Sequence, residues 1–544
     1  MNNRRGQNDD WSNQPRGGVG EHGMSGRLEE INGESSPGGF TPNARPNSAS
    51  AGKAGAARGA VGSVHSSDEG RNEAGAKGPN LNAGNGVATD EAMAPLLGIR
   101  TPLKVQALQR TLYRKAKENR RWRAWSLCGD LCRRDVLETA MKAVVANGGA
   151  AGIDGITTEQ VKAGAEEFLN ALQAQLTDRS YQPGPVKRVW IPKAEGKQRP
   201  LGIPNVVDRI VQMALLILLQ PIFEADFDEG SFGYRPGRKA HQALDAIRDQ
   251  LRQGRTDVVD ADLSGYFDTI DHAGLLRLVA GRVSDGSILR LVKLFLKAPI
   301  VEEKNGKRSY HPNDRGTPQG GVLSPLLANL YLNSLDHGVN DHPELDAKLI
   351  RYADDFVLLC RPGSGGAMLE RLKKYVAAKR LTLNEAKTRL VNFQQDSFRF
   401  LGFDFAWRRS PRTGNRFVHV EPSPKARLHL REAVREELNH WTKHRSCAEA
   451  VRRVNRITRG WSNYYHYGHS TRVFGRQQVW LQNRVRRWLW RKYDCTHGLF
   501  SFFTDERLLG QYQLWPLPRT CAWRRSLCDV CSRKAGCGKS ARPV

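Results

Sequence analysis

The chain has 544 residues; its 84 Lys and Arg against 56 Asp and Glu give a net charge of +28 and a pI near 10.0. This positive excess indicates a polyanionic partner, most often nucleic acid, although improved solubility is an alternative explanation. Nine cysteines in so long a chain argue against a secreted disulfide scaffold. The longest apolar stretch, IVQMALLILLQPIF at 210–223, is short for a membrane span and contains two glutamines, so we predict a buried helix and no membrane partner.

Residues 1–97 are rich in Gly, Ala and Asn and contain two aromatic side chains, Trp11 and Phe40. Such a segment buries too little apolar surface to offset the entropy lost on ordering, so we predict a disordered extension. Its first residues lack the apolar region of a secretory signal and carry acids, which are rare in organellar transit peptides. We therefore expect a cytoplasmic protein.

The following region mixes helical and strand patterns. A basic helix is predicted at 105–125, and further helices at 207–227 and 367–380. Short runs rich in apolar and β-branched residues predict strands at 186–193, 257–263, 348–360 and 398–405. Strands interleaved with helices predict an α/β or α+β domain.

The chain changes character after residue 421. Residues 421–544 carry 25 Lys and Arg against 9 Asp and Glu, and seven of the twelve tryptophans. Apolar residues recur there at helical spacing, which predicts a small, basic helical domain. Core packing is the alternative to base stacking for its aromatic residues. The three stripes are Leu430, Val434, Leu438 and Trp441; Val451, Val454, Trp461 and Tyr465; and Leu481, Val485 and Trp488.

Two adjacent acids, Asp354 and Asp355, interrupt the apolar run KLIRYADDFVLLC at 348–360. If the two halves of this run pair as a hairpin, both carboxylates fall at its turn. Two anions this close repel, and one keeps its proton unless a cation intervenes. Carboxylate oxygens suit Mg²⁺, so the pattern predicts a magnesium site. An exposed polar turn is the alternative.

Asp262 ends a second β-branched run, in VVDADLSGYFDTIDH at 258–272, and Asp268 and Asp271 follow at a turn or helix start. If this strand neighbours the hairpin in one sheet, Asp262 joins Asp354 and Asp355. Three such carboxylates can hold two Mg²⁺ ions about 4 Å apart, the arrangement for in-line displacement at phosphorus.

The segment YADD at 352–355, between apolar strands, resembles the YxDD signature of reverse transcriptases. Further blocks match that family in the expected order, and RGWSNYYHYG at 459–468 resembles the maturase (X/thumb) domain of group II intron proteins. The resemblance covers roughly residues 103–490. The other blocks are GIDGIT (152–157), IPKAEGKQRPLGIP (191–204), SFGYRPGRKAHQAL (231–244), DADLSGYFDTIDH (260–272), RGTPQGGVLSPLLANLYL (315–332), LTLNEAKT (381–388) and FRFLGFDF (398–405).

The resemblance implies an α+β right-hand polymerase fold with a C-terminal helical thumb. The expected divisions are a disordered extension at 1–97, an N-terminal segment and fingers at 98–257, a palm with the catalytic aspartates at 258–410, a thumb/maturase (X) domain at 421–493, and a basic tail containing cysteines at 494–544.

The resemblance also implies roles for individual residues. Asp262, Asp354 and Asp355 match the catalytic metal ligands, whereas Asp268 reads as structural. The residues implied at the nucleotide are Lys193, Arg199, Phe267, Gln319, Gly320 and Lys387. Those implied at the primer end are Leu401 and Gly402, and those at RNA are Arg459, Trp461, Tyr464 and Tyr465. Solvated hairpin charges are the alternative for Lys193 and Arg199, and a structural turn for Gly320.

The tail contains four cysteines, with CDVC as its one CxxC motif. They allow two interpretations, a small structural Zn²⁺ site or reduced, unliganded thiols. Many relatives carry an HNH endonuclease, which needs histidines and paired cysteine motifs, and we expect none here. The four cysteines are Cys521, Cys528, Cys531 and Cys537.

The implied activity is RNA-directed DNA synthesis from dNTPs with two Mg²⁺ ions, together with binding of intron RNA to assist splicing and mobility of the intron. Implied partners are intron RNA, an RNA template with a DNA primer, and target DNA, in the prokaryotic cytosol or nucleoid. One alternative is a splicing factor whose polymerase is a relic. Another is a domesticated reverse transcriptase in phage defence or CRISPR spacer acquisition. The oligomeric state is left open.

Overall fold

The computed structural model describes residues 101–192, 198–496 and 498–520; the extension predicted at 1–97 lies outside them. The helices are α1 (Leu103–Glu118), α2 (Leu127–Leu131), α3 (Arg134–Asn147), α4 (Thr158–Ala163), α5 (Ala165–Thr177), α6 (Val206–Glu224), α7 (Ala240–Arg252), α8 (Tyr266–Thr269), α9 (His272–Arg282), α10 (Gly286–Lys297), α11 (Ser324–Asn340), α12 (Gly365–Ala378), α13 (Pro424–Glu437), α14 (Cys447–Tyr465), α15 (Thr471–Lys492), α16 (Leu499–Phe502) and α17 (Asp505–Leu509). Short 3₁₀ helices occupy Pro343–Leu345 and His440–His444.

Three sheets accompany these helices, with strand orders β2-β1-β4-β5, β6-β7-β3-β8 and β11-β10-β9. The strands are β1 (Val186–Pro192), β2 (Gln198–Ile203), β3 (Asp257–Ala261), β4 (Ile300–Lys304), β5 (Lys307–His311), β6 (Lys348–Tyr352), β7 (Asp355–Cys360), β8 (Arg389–Asn392), β9 (Phe398–Phe400), β10 (Phe403–Arg409) and β11 (Arg416–Pro422). The chain is therefore a mixed α and β protein, as predicted.

Strand β7, inside the β6-β7-β3-β8 sheet, is buried on both faces, which explains its continuous apolar run. On β7, Phe356 and Leu358 belong to the large core that also contains α6 and α11. Val357 and Leu359 point to the opposite face and pack with α7 and the β9-β10 hairpin. Because side chains alternate along a strand, a strand covered on both faces has no position for an exposed polar residue until it ends.

Helix α6 is the apolar stretch that the sequence predicts to be buried. By length and composition it is the one helix among the described residues that could cross a membrane, and 89% of its apolar window is buried inside the protein. It contacts α1 and α3 along the large core. The prediction of a buried helix is confirmed.

Two local predictions were wrong. The segment 398–405 is not one strand, because Leu401 and Gly402 adopt positive φ angles of 49° and 81° and turn the chain into the β9-β10 hairpin. Trp441 does not belong to the first C-terminal stripe, because α13 ends at Glu437 and Trp441 is 82% exposed. Tyr465 packs against the core that contains the β9-β10 hairpin, and the other stripe positions pack together in a core shared by α13, α14 and α15.

Candidate active site

Strand register brings the predicted aspartates together. β3 and β7 are antiparallel neighbours in which Ala261 pairs with Phe356, so Asp262 emerges beside Asp355 at the same sheet edge. β6 and β7 form the predicted hairpin, with Tyr352 paired with Asp355 and Asp354 in the two-residue turn. Both structural expectations are confirmed: the hairpin forms, and its neighbour is the strand that leads to Asp262.

The acidic cluster of Asp262, Asp354 and Asp355 is electrostatically strained. Asp355 is open to solvent on one side, but the protein around it displaces water from the rest of the carboxyl group. This burial, followed by the negative charges of Asp354 and Asp262, raises the pKa of Asp355 to about 6. A group whose ionisation is opposed by two neighbouring anions is one whose carboxylate form a cation would stabilise.

Lys387 supplies a positive charge at this cluster. Its Nζ lies 2.7 Å from Oδ2 of Asp262, which also accepts a hydrogen bond from the Asn384 side chain at 3.2 Å. The backbone N–H of Asn384 donates to the Asp262 carbonyl oxygen at 2.8 Å, so the loop before β8 is fixed against the end of β3. The structure therefore places Lys387 at the predicted site, with an aspartate as its described partner.

A series of side-chain hydrogen bonds links the β1-β2 hairpin to the loop before α11. Arg199 Nε donates to Oε1 of Gln319 at 2.6 Å, and Gln319 Nε2 donates to Oδ2 of Asp268 at 3.2 Å. Burial raises the pKa of Asp268. Three predicted residues thus lie in one network, and Asp268 has the structural contact expected of it. Lys193 lies outside the described residues.

Gly320 has a structural reason for being glycine. Its φ is 118°, and a Cβ there would lie 2.2 Å from the carbonyl oxygen of Gly202 in β2. The neighbouring carbonyl of Gln319 accepts a hydrogen bond from Gly202 N. The close approach predicted for this loop is made to the protein backbone, and contact with a nucleotide stays a prediction.

Phe267 lies on the short helix α8, just after Gly265, whose φ is 57°. The side chain is 9% exposed and belongs to the large core. Its carbonyl oxygen accepts a hydrogen bond from Thr317 N at 2.7 Å, which joins α8 to the loop that carries Gln319.

The β9-β10 turn is held by the motif that resembles maturases. Tyr464 Oη donates to the carbonyl oxygen of Leu401 at 3.0 Å, and Ser423 N donates to that of Gly402 at 2.9 Å. A Cβ at Gly402 would lie 2.5 Å from Tyr465 Oη. The two residues predicted at the primer end therefore contact two residues predicted at RNA.

The aromatic residues of RGWSNYYHYG pack against protein. Trp461 Nε1 donates to the Ala426 carbonyl at 3.1 Å, and its ring lies 5.0 Å from that of Tyr465. Tyr464 and Tyr465 both pack on Phe403. Their described contacts favour the core-packing alternative, whereas Arg459 is exposed. A role of these three rings in RNA binding stays a prediction.

Sequence reasoning missed Arg351, which supports the hairpin turn from below. This fully buried side chain forms a bidentate ion pair with Asp336, and its Nη1 donates to the Asn329 side chain and to the Ala353 carbonyl at 2.8 and 2.9 Å. Ala353 has a φ of 62°. An arginine inside an apolar strand was the available signal, because a buried cation requires a partner.

Tyr234 was also missed. It is 53% exposed, and burial of its hydroxyl together with the nearby Asp354 charge raises its pKa. The preceding Gly233 packs so closely on the turn that a Cβ would lie 2.3 Å from Ala353 N. Close backbone packing thus places Tyr234 beside the cluster, and no local sequence pattern predicts it.

One group of acidic and histidine side chains in the described residues is compact enough to be considered as a metal site. It consists of Asp228, His337 and Asp341, whose ligand atoms all lie within 4.8 Å of one another. Both His337 nitrogens already have acceptors, Asp341 and the Asp226 carbonyl. Asp228 Oδ1 accepts from Gly230 N and the Asn340 side chain. These contacts explain the group as a structural network.

The four tail cysteines lie outside the described residues, so the choice between a structural Zn²⁺ site and unliganded thiols stays a prediction.

Comparison with known proteins gives two family matches. The description "Reverse transcriptase (RNA-dependent DNA polymerase)" matches residues 191–405, and "Group II intron, maturase-specific domain" matches residues 428–501. The first match spans all three aspartates and the second spans α14 and α15.

Individual relatives agree with these matches. Protein YkfC of Escherichia coli (strain K12) is 34% identical over 317 residues, which cover 51% of this chain and 81% of that protein. Group II intron-encoded protein LtrA of Lactococcus lactis subsp. cremoris is 32% identical over 344 residues, which cover 52% of this chain and 56% of LtrA. A solved chain of a partial Cas6-RT-Cas1--Cas2 complex aligns with 46% of this chain and 42% of its own length, at 24% identity and a TM-score of 0.30, which is too low to establish a shared overall arrangement. The family matches and the coverage of YkfC show that the chain belongs to the group II intron reverse transcriptase/maturase family.

Proposed function

We propose that this chain copies intron RNA into DNA at the acidic cluster, and that its C-terminal helices bind intron RNA and assist splicing. The pairing register of β3 and β7 supports the proposed DNA synthesis, because it places Asp262 beside Asp355 at one sheet edge. In this proposal the β2-β1-β4-β5 sheet belongs to the fingers, the β6-β7-β3-β8 sheet to the palm, and α13 to α15 to the thumb.

The donor set of the acidic cluster fits magnesium. Three carboxylates supply hard oxygen ligands, and the raised pKa of Asp355 reflects burial first and then repulsion by Asp354 and Asp262, which a divalent cation relieves. When bound, two Mg²⁺ ions would activate the primer hydroxyl and stabilise the leaving pyrophosphate. The role of the protein is to hold the three carboxylates at one edge, and the buried strands and Arg351 fix that arrangement.

The residues around the cluster are suited to hold a dNTP. Arg199 presents a planar cation to phosphate oxygens, and Gln319 keeps it oriented. Lys387, whose Nζ lies 2.7 Å from Asp262 Oδ2, would offer its positive charge to a phosphate of the nucleotide. Phe267 would border the sugar, and Leu401 and Gly402 would position the primer end.

The remaining partners follow from this assignment. We propose an RNA template with a DNA primer along the sheet edge, target DNA as the source of the primer, and a cytoplasmic location. The net charge of +28 supports binding to nucleic acid backbones, whose contacts position a duplex with little sequence reading.

Primer extension on an RNA template tests the polymerase assignment, by comparing wild type with Asp355→Asn. Loss of a metal ligand removes charge stabilisation worth several kcal/mol, so we expect synthesis to fall about 1,000-fold or more. Asp396→Asn is the matched control, since Asp396 is exposed in the β8-β9 loop. Absence of Mg²⁺-dependent synthesis by wild type, or full activity of Asp355→Asn, would contradict the proposal.

Splicing tests the second part. A splicing assay of the intron RNA with Asp355→Ala should retain the wild-type rate, because the C-terminal helices have their own core. Equal loss of splicing and synthesis would show that the two activities do not separate along this division of the chain.

A further inference from the structure

An open groove lies on the C-terminal helical region, outside the acidic cluster. It runs between helix α14 and residues 511–513 and encloses about 850 Å³. We name it the α14 groove. Its helical wall lies within the segment that matches the maturase-specific domain, residues 428–501, whereas its other wall lies beyond that segment. The groove is therefore completed by a part of the chain that the family match does not include.

The second wall is fixed to the helix by one side chain. Asn455 Nδ2 donates to the Gln513 carbonyl at 2.8 Å, and Asn455 Oδ1 accepts from Trp515 N at 2.8 Å. The guanidinium of Arg459 lies 5.6 Å from the centre of the Trp515 ring, in cation–π contact. Because both polar atoms of the amide are used, the groove is a built feature rather than a chance gap between loose segments.

The groove is lined by unneutralised positive charge. Arg452, Arg456 and Arg459 are exposed at helical spacing on one face of α14, and span about 10 Å at 1.5 Å per residue. Among the described residues, no carboxylate lies within 4.0 Å of Arg452 or Arg456. The neighbouring Arg453 instead pairs with Glu449 at 3.0 Å, and Arg445 pairs with Glu437 at 2.6 Å. The ion-paired Arg445 and Arg453 are not among the residues that line the groove.

We propose that the α14 groove binds the phosphate backbone of RNA, with Arg452 and Arg456 as direct phosphate contacts. This deepens the proposed function and rests on its RNA-binding part. Guanidinium groups match phosphate oxygens in charge and geometry. A row of arginines along one groove wall suits a continuous strand of phosphates better than a single small anion. RNA is favoured over duplex DNA because the helical wall lies in the maturase-specific segment.

The test is the salt dependence of binding by the double variant Arg452→Gln/Arg456→Gln. Fluorescence anisotropy would measure affinity for a uridine RNA of about 30 nucleotides between about 50 and 200 mM KCl. Each phosphate contact on a single strand contributes about 0.7 to the slope of log K against log salt. Loss of two contacts should lower the slope by about 1.4 and weaken binding about tenfold near 150 mM salt.

Arg445→Gln/Arg453→Gln is the matched control, because it removes the same charge from the same region but takes it from ion-paired arginines. Its slope should stay near that of wild type. Equal slope changes in the two double variants would overturn the proposal in favour of net charge alone, and so would an unchanged slope in Arg452→Gln/Arg456→Gln. Loss confined to a DNA duplex of the same length would overturn the assignment to RNA.

Two further measurements separate this proposal from the function on which it rests. Melting temperature shows whether each variant folds, and both exchange exposed or partly exposed polar side chains. Primer extension by the wild type tests the polymerase part of the proposed function separately, because it depends on the acidic cluster and is measured without either groove variant. If the wild type does not bind RNA, the RNA-binding part of the proposed function fails together with the groove proposal. If the wild type binds RNA and Arg452→Gln/Arg456→Gln binds it with the same affinity and salt slope, the groove proposal alone fails.

Discussion

The acidic cluster and the α14 groove are two sites built in opposite ways. The cluster depends on register between buried strands that are far apart in the chain, and its charges are crowded and supported by the buried Arg351. The groove depends on the exposed arginines of one helix and on residues 511–513, which Asn455 holds against that helix. A site of the first kind is lost when its surroundings are disturbed, whereas one of the second kind weakens by increments as charges are removed.

The largest expected effect tests the buried support of the cluster. Arg351→Ala leaves Asp336 buried without its partner, which should lower the free energy of unfolding by about 3–5 kcal/mol. Arg456→Gln, an exposed arginine of the groove, should change it by about 0.5 kcal/mol or less. Urea titration of the three proteins measures both values.

The double variant Arg351→Met/Asp336→Leu sharpens this comparison. It replaces the buried pair with apolar side chains, so it should recover much of the stability lost in Arg351→Ala. We expect lower polymerase activity than wild type in both Arg351→Ala and this double variant, because each lacks the Arg351 donor to the Ala353 carbonyl. Wild-type activity in the double variant would show that the turn does not need this support.

A smaller effect is expected from pH. The pKa of Asp355 is raised to about 6, so a proton competes with Mg²⁺ for this carboxylate as pH falls through that value. Affinity for Mg²⁺, measured by calorimetry, should therefore be constant above about pH 7 and fall about tenfold by about pH 5. The same raised pKa means that Asp355 makes no net contribution to stability below about pH 4 and increasingly destabilises the metal-free fold as pH rises from about 4 to about 6.

Asp355→Asn provides the control for this titration. Its residual Mg²⁺ affinity should vary less with pH than that of wild type. RNA binding by the groove should not follow the same titration, because arginine keeps its charge across this range. A tenfold loss of RNA affinity between about pH 7 and 5 would break the distinction between the two sites.

The smallest effect lies where the two regions meet. Tyr464→Phe removes the hydrogen bond to the Leu401 carbonyl while keeping the ring packed on Phe403, at a cost of about 1 kcal/mol. We expect the KM for primer–template to rise about fivefold, with RNA affinity unchanged. An equal loss of RNA affinity would instead support the predicted role of Tyr464 at RNA.

The acidic cluster could be predicted from the sequence because each of its aspartates stands at the end of an apolar run that marks a strand. The apolar halves of 348–360 mark a hairpin, and Asp262 ends a similar run, so the convergence followed once the strands were assumed to be neighbours. The contact of Lys387 with Asp262 joins residues 125 positions apart, and only the family resemblance pointed to this neighbourhood. Arg351 was missed because its partner Asp336 lies on a helix whose face toward the sheet is set by tertiary packing.

The wrong predictions have physical causes of the same kind. The segment FRFLGFDF at 398–405 is rich in phenylalanine and resembles a strand at both ends, and the turn inside it depends on positive φ angles at Leu401 and Gly402. The RNA role of the aromatic residues of RGWSNYYHYG was not wrong but stays a prediction, because these residues fit the pattern of a stacking surface and that of a core equally well. The packing of the β9-β10 hairpin against Tyr464 and Tyr465 favours the core position, and this contact is not visible in the local sequence.

The pairing of β3 with β7 also has a consequence for biosynthesis. Asp262 leaves the ribosome 93 residues before Asp355, and Arg389 of β8, which pairs with Asp260, follows later still. At about 5–20 residues per second, a nascent chain therefore exposes an incomplete set of acids for about 5 to 20 seconds. During that interval the three carboxylates of the acidic cluster are not yet together, so the cluster forms only after the last strands of its sheet have been translated.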